Sequence, residues 1–62
     1  MIVKWVRIFF KDTSYQPKTY AEGEDDVECI HLFDTSVDIT REDVVNVMYP
    51  MDGIFKVEYV EN

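Results

Sequence analysis

Five carboxylates crowd into seven positions where residues 22 to 28 read EGEDDVE: Glu22, Glu24, Asp25, Asp26 and Glu28. Carboxylates at this density could hold a cation, imitate the phosphates of a nucleic acid, or keep a loop in water. A calcium loop needs alternating oxygen ligands, a glycine at a set place and a distal glutamate. GEDDVE does not follow that spacing. Imitation of a nucleic-acid backbone needs negative groups spread over a surface at phosphate-like intervals. Nine of the thirteen acidic residues lie between Glu22 and Asp43, which is enough for a continuous negative ridge. Runs of like charge are most often solvated faces, and that is the default here.

The other reactive side chains are Cys29 and His31, two residues apart. On a strand they share a face, but two ligands do not close a zinc site, which needs four. A thiol can be activated by neighbouring cations, yet no motif fixes a base beside it, and packing is the plainer role for both residues. The chain has no paired-carboxylate, nucleophile–base or phosphate-loop signature. The reading is a non-enzymatic protein with no catalytic residue, no metal and no cofactor.

Sixty-two residues make one small domain, 1–62, in which the 11–26 segment is a long loop. A chain of this size buries only about 60% of the surface it exposes when unfolded, so its stability margin is thin. The single cysteine forms no internal disulfide, which points to a reducing cytoplasm. No run approaches the roughly 18 apolar residues of a membrane span. MIVKWVRIFF is broken by Lys4 and Arg7 and lacks a small-residue cleavage site, so it reads as a strand rather than a leader. Charge is unevenly placed. Residues 1–18 carry Lys4, Arg7, Lys11 and Lys18 against Asp12, while residues 19–62 carry Arg41 and Lys56 against twelve acids; the net is −7. That balance argues against direct binding to nucleic acid, whose affinity comes largely from Lys and Arg on phosphates. It argues equally against an anionic membrane surface. A partner protein with a basic or nucleic-acid-binding surface is compatible with it.

The elements follow from pattern. Ile2 to Lys11 is β-branched and aromatic, with Val6, Ile8 and Phe10 on one side and Val3, Trp5, Arg7 and Phe9 on the other. KDTSYQPKTYAEGEDD carries the breakers Pro17 and Gly23 and no period, so it is a long loop or hides a short edge strand near Tyr15 to Tyr20. Val27 to Phe33 is a second strand, with Ile30 and Leu32 opposite Cys29, His31 and Phe33. In ITREDVVNVM, Thr40 is placed to cap a helix with Asp43 three residues on, and Ile39 and Val44 are spaced as a hydrophobic staple. Pro50 stops that helix after about two turns. Gly53 supplies a turn, and Ile54 to Val60 is a last strand with Phe55, Val57 and Tyr59 on one face. The expected fold is therefore α+β: β-β-α-β, a small antiparallel sheet of order 2-1-3 with one short helix on one face. Val6, Ile8, Phe10, Ile30, Leu32, Val44, Val47, Met48, Phe55, Val57 and Tyr59 form its expected core.

One short helix cannot cover both faces of such a sheet. The uncovered face should present Trp5, Arg7, Phe9, His31, Phe33, Lys56 and Glu58. Aromatics and Arg are the residues that interface hot spots favour. Leaving Trp5, Phe9 and Phe33 in water forgoes about 1.5–3 kcal/mol each. Either the 11–26 loop folds over them or a partner does, whether another protein or a second copy of the chain. Trp5, Arg7, Phe9, His31 and Phe33 are the candidate partner-binding residues, with the acidic run as a second surface.

An opening IVK, an aromatic strand closing in FFKDTS, a DDV some fourteen residues later and a final KVEYV resemble the Dmd-type antitoxins of T-even-like phages. VDITREDVVNVMYP lies outside the match. That family consists of tiny early proteins that bind a host RNase toxin and block it. The chain is also similar in general character to other small acidic phage inhibitors, among them those of host polymerase and anti-CRISPR proteins. The resemblance implies a phage-type inhibitor of a host protein, with an acidic nucleic-acid mimic aimed at a defence complex as its alternative. A homodimeric accessory protein is the third class.

Overall fold

A computed structural model describes residues 1–62. Its longest strand, β1 (Ile2–Phe10), is the β-branched and aromatic run read from the sequence. The next segment contributes β2 (Lys18–Ala21), inside what reads as a loop. Then come β3 (Val27–Leu32), β4 (Ser36–Arg41) and β5 (Val47–Pro50), a single 3-10 turn at Met51–Gly53, and β6 (Ile54–Glu61). All pairings are antiparallel, and the six strands make one curled, half-barrel sheet.

The expected α+β class with a helix from Thr40 is thus overturned: the molecule is nearly all-β, with no true helix. Thr40 is a strand residue facing Cys29, and Ile39 faces Ile30. Asp43, the supposed capping partner, has φ 58°, a left-handed turn conformation that no α-helix contains. The reason lies in the free edge of β3. A helix after β3 would leave that edge without hydrogen bonds, whereas β4 satisfies it and places Ile39 against Ile30. The turn between β4 and β5 is held by side chains. Arg41 N–H donates to Asn46 Oδ1 at 2.8 Å, and Arg41 Nε donates to the Val45 carbonyl at 2.8 Å.

β1 organises the sheet. Along one edge it pairs with β6 over almost its whole length. Its other edge is shared: Ile2 and Val3 pair with β3, and Trp5 to Ile8 pair with β2. Rows of inward side chains cross the strands. Val3, Ile30, Ile39 and Val47 form one row over four strands. Tyr59, Val6 and Tyr20 form another over three. Eight apolar residues are buried: Val3, Val6, Ile8, Val27, Ile30, Val37, Ile39 and Ile54. Phe10, Leu32, Val47 and Val57 pack against them half-buried.

The core departs from strict alternation where the ladder is irregular. Between Val3 and Trp5 the register against β6 shifts by one residue, so Val3 and Val6 both face inward although strict alternation separates them. A second shift, opposite Phe9 and Phe10, turns Ile54 into the core and leaves Phe55 72% exposed. Met48 and Val44, core residues on the helical reading, are exposed. Tyr59 keeps its inward row but is 43% exposed at the rim.

Curling brings the sheet's ends together. The Tyr20 and Tyr49 hydroxyls lie 2.5 Å apart, joining β2 to β5, and either can donate. Burial pushes the Tyr49 phenol far above its ordinary 10.0; the hydrogen bond to Tyr20 and that ring's charge push the same way, against a small opposing pull from Arg41. A raised native pKa means that the unfolded chain loses this proton first. The stabilisation is therefore complete below pH 10.0 and is lost as pH rises from there through the native value. Stability should fall steeply in strong alkali, and Tyr49→Phe should flatten that fall while costing about 1 kcal/mol at neutral pH. Thermal melts of both proteins across alkaline pH check it.

Candidate functional site

Alternation along β1 sends Trp5, Arg7 and Phe9 to the convex face, opposite the buried Val6 and Ile8. Their partners on β6 are Val60, Glu58 and Lys56. The result is an interleaved surface. The Arg7 guanidinium lies 5.0 Å from the Trp5 ring centroid, and Lys56 Nζ lies 4.6 Å from that of Phe9. Glu58 sits between the two cations, 3.8 Å from each. Arg7 Nε also donates to the Thr19 hydroxyl at 3.3 Å, from β2 on the other side. Exposed ion pairs of this kind contribute about 0–1 kcal/mol to stability. With the rings, they gather both cations beside the aromatic row.

His31 and Phe33 form a separate patch at the end of β3. Their rings are parallel within 3° at 5.5 Å, and His31 Nδ1 lies 3.4 Å from Cys29 Sγ. Ile2 pairs with His31 across the strands and is 45% exposed, so it links this patch to β1. The five candidate residues therefore fall into two clusters, Trp5–Arg7–Phe9 and His31–Phe33. No group of three or more His, Cys, Asp and Glu side chains is placed to hold a metal ion, at Cys29–His31 or in the acidic run.

In the 11–26 segment Tyr15 packs edge-on against Phe10, 6.0 Å between centroids, on the core side of β1, while Thr19 and Ala21 of β2 stand beside Arg7 and Trp5 in the sheet. The start of the segment is closed by Asp12, whose Oδ1 accepts from the Ser14 hydroxyl at 2.7 Å and the Ser14 N–H at 2.9 Å. Those two bonds, the hydroxyl's first, hold the Asp12 carboxyl below its ordinary pKa. Two adjoining hollows of about 490 and 330 Å³ lie where Phe10, Tyr15 and Tyr49 meet. Sequence reading does not find them, because Tyr49 reaches Phe10 only through the curl of the sheet.

The acidic run occupies the turn between β2 and β3. Gly23, Asp25 and Asp26 take left-handed conformations there, at φ 84°, 51° and 64°. Asp tolerates that region because its short side chain can bond locally. The Asp26 carbonyl accepts from the Glu42 N–H at 2.8 Å. That bond draws a second acidic turn, Glu42 and Asp43, against the first. Glu22, Glu24, Asp25, Asp26 and Glu28 are all exposed. No helix is long and apolar enough to cross a membrane. No protein-family model, curated protein or solved structure matches this chain.

Proposed function

We propose that this protein is a non-enzymatic inhibitor that binds a host protein through its convex face and blocks it, the target being a toxin RNase or another nucleic-acid enzyme. The observation that supports this most is the ordered row of Trp5, Arg7 and Phe9 interleaved with Lys56 and Glu58. Trp, aromatics and Arg are enriched at hot spots, which cluster at the centres of interfaces. A net charge of −7 suits a partner whose working surface is basic, as the surface of a nucleic-acid enzyme is. The resemblance to Dmd-type antitoxins points the same way, to action in the host cytoplasm. Titrating a purified RNase toxin with the protein and following RNA cleavage tests the reading; undiminished cleavage at saturating protein would exclude that target class.

The second reading is an acidic nucleic-acid mimic directed at a defence complex. It is favoured by the Asp26–Glu42 bond, which gathers the carboxylates of two turns at one place. Under this reading, converting Glu24, Asp25 and Asp26 to Gln and Asn should slow association at low salt roughly tenfold or more and weaken its salt dependence. A solvated turn should leave the rate within about twofold. Stopped-flow association at two ionic strengths separates these outcomes.

A further inference from the structure

The three outer strands of the sheet are not protected alike. β2 and β5 have four residues each, β5 ends in Pro50, and Tyr20 and Tyr49 tie the two together. β6 has eight residues and no proline, and it pairs with β1 on one side only. Alternate N–H and C=O groups along its other side have no strand partner. Natural sheets shield such edges by shortness, proline, charge, bulges or cover. β6 has Lys56, Glu58 and a bulge at Phe55, but its ladder is regular from Lys56 to Val60, and it also carries Phe55, Tyr59 and Val60, exposed at 72%, 43% and 45%.

We propose that β6 pairs antiparallel with β6 of a second copy of this chain, about a two-fold axis through Val57. The register is chosen by symmetry and charge. A two-fold axis must pass through a residue, since a one-residue slip sets inward side chains against outward ones. An axis through Lys56 stacks lysine on lysine, and one through Glu58 stacks glutamate on glutamate. Like charges directly opposite destabilise a sheet. An axis through Tyr59 carries Lys56 beyond the end of the partner strand, opposite Asn62. The axis through Val57 sets Lys56 opposite Glu58 twice and Val57 against itself, all within the regular stretch Lys56 to Val60, while Phe55 stands outside the ladder in its bulge. Both charge pairs are then of opposite sign. The Lys56 and Glu58 side chains are about half exposed, 52% and 46%, so both are accessible to a partner strand. In the dimer the sheet runs unbroken through both copies. The two Trp5–Arg7–Phe9 rows then lie on one side of it, each one strand in from the seam. The dimer does not depend on the proposed inhibitory role.

Sedimentation velocity on four samples tests it: the parent, Lys56→Glu, Glu58→Lys, and an equimolar mixture of the two variants. Lys56→Glu sets glutamate against glutamate in both pairs, and Glu58→Lys sets lysine against lysine. Each variant alone should sediment at half the parent's mass, with an unchanged circular dichroism spectrum. Mixed, every pair is again of opposite charge, so the mass should double. The double variant, with both exchanges in one chain, should also be dimeric and covers the case in which one single variant misfolds. A monomeric parent, single variants that remain dimeric, or a mixture and double variant that both stay monomeric would each overturn the proposal.

Discussion

Replacing Trp5 with alanine should weaken partner binding by about 2 kcal/mol or more, roughly 30-fold in Kd, and leave the melting temperature near that of the parent. The expectation rests on where Trp5 stands. It is half-buried on the convex face, covered on one side by Arg7, and makes none of the inward rows that hold the sheet. Ile8, three positions along β1, is completely buried. Ile8→Ala should therefore cost about 2–5 kcal/mol of stability through lost burial and the cavity left behind. Melts and binding titrations on both variants give a two-by-two comparison. If Trp5→Ala melts the protein as badly as Ile8→Ala does, the convex face is part of the folding core and not a docking surface.

A second large effect is expected at Ile39. As the centre of the row from Val3 to Val47, it is 1% exposed, and Ile39→Ala should cost about 2–5 kcal/mol. Met48 is 64% exposed on β5, and Met48→Ala should stay within about 0.5 kcal/mol. A helix starting at Thr40 would invert this order, because Met48 would then be core and Ile39 a peripheral staple. Urea unfolding midpoints of the two variants decide between strand and helix without a partner molecule.

That inversion shows what could be read from the residues beforehand. β1, β3 and β6 were legible because alternation of period two survives on half-buried strands. The 11–26 segment reads as a long loop, with a short edge strand near Tyr15 to Tyr20 only as an alternative; the structure has β2 there, at Lys18–Ala21. β4 was not legible. Val37 and Ile39 alternate with Asp38, but Thr40 and Asp43 carry a stronger local pattern for a helix start. Local capping is worth only about 1 kcal/mol. Burying Ile39 and Val37 and satisfying the edge of β3 outweighs it, and both depend on residues distant in the chain. The bulges were hidden for the same reason. No glycine marks them, and Val3 or Phe55 changes side only because its own strand carries one extra residue against its partner. Parity alone puts Trp5, Arg7 and Phe9 on one face. Their cationic interleaving with Lys56 required the pairing of β1 with β6.

That pairing also sets when the protein can fold. Val3 lies beside Glu61, nearly the whole chain apart, and Trp5 to Phe9 take partners from the last strand as well. A ribosome must release β6 before β1 can acquire its longest ladder. Until then, the apolar strand made first waits with that edge open. Domains dominated by such distant pairings fold on the millisecond-to-second scale, because loop closure must precede the contacts that reward it. An apolar strand edge left open for that interval is the kind of surface through which nascent chains aggregate.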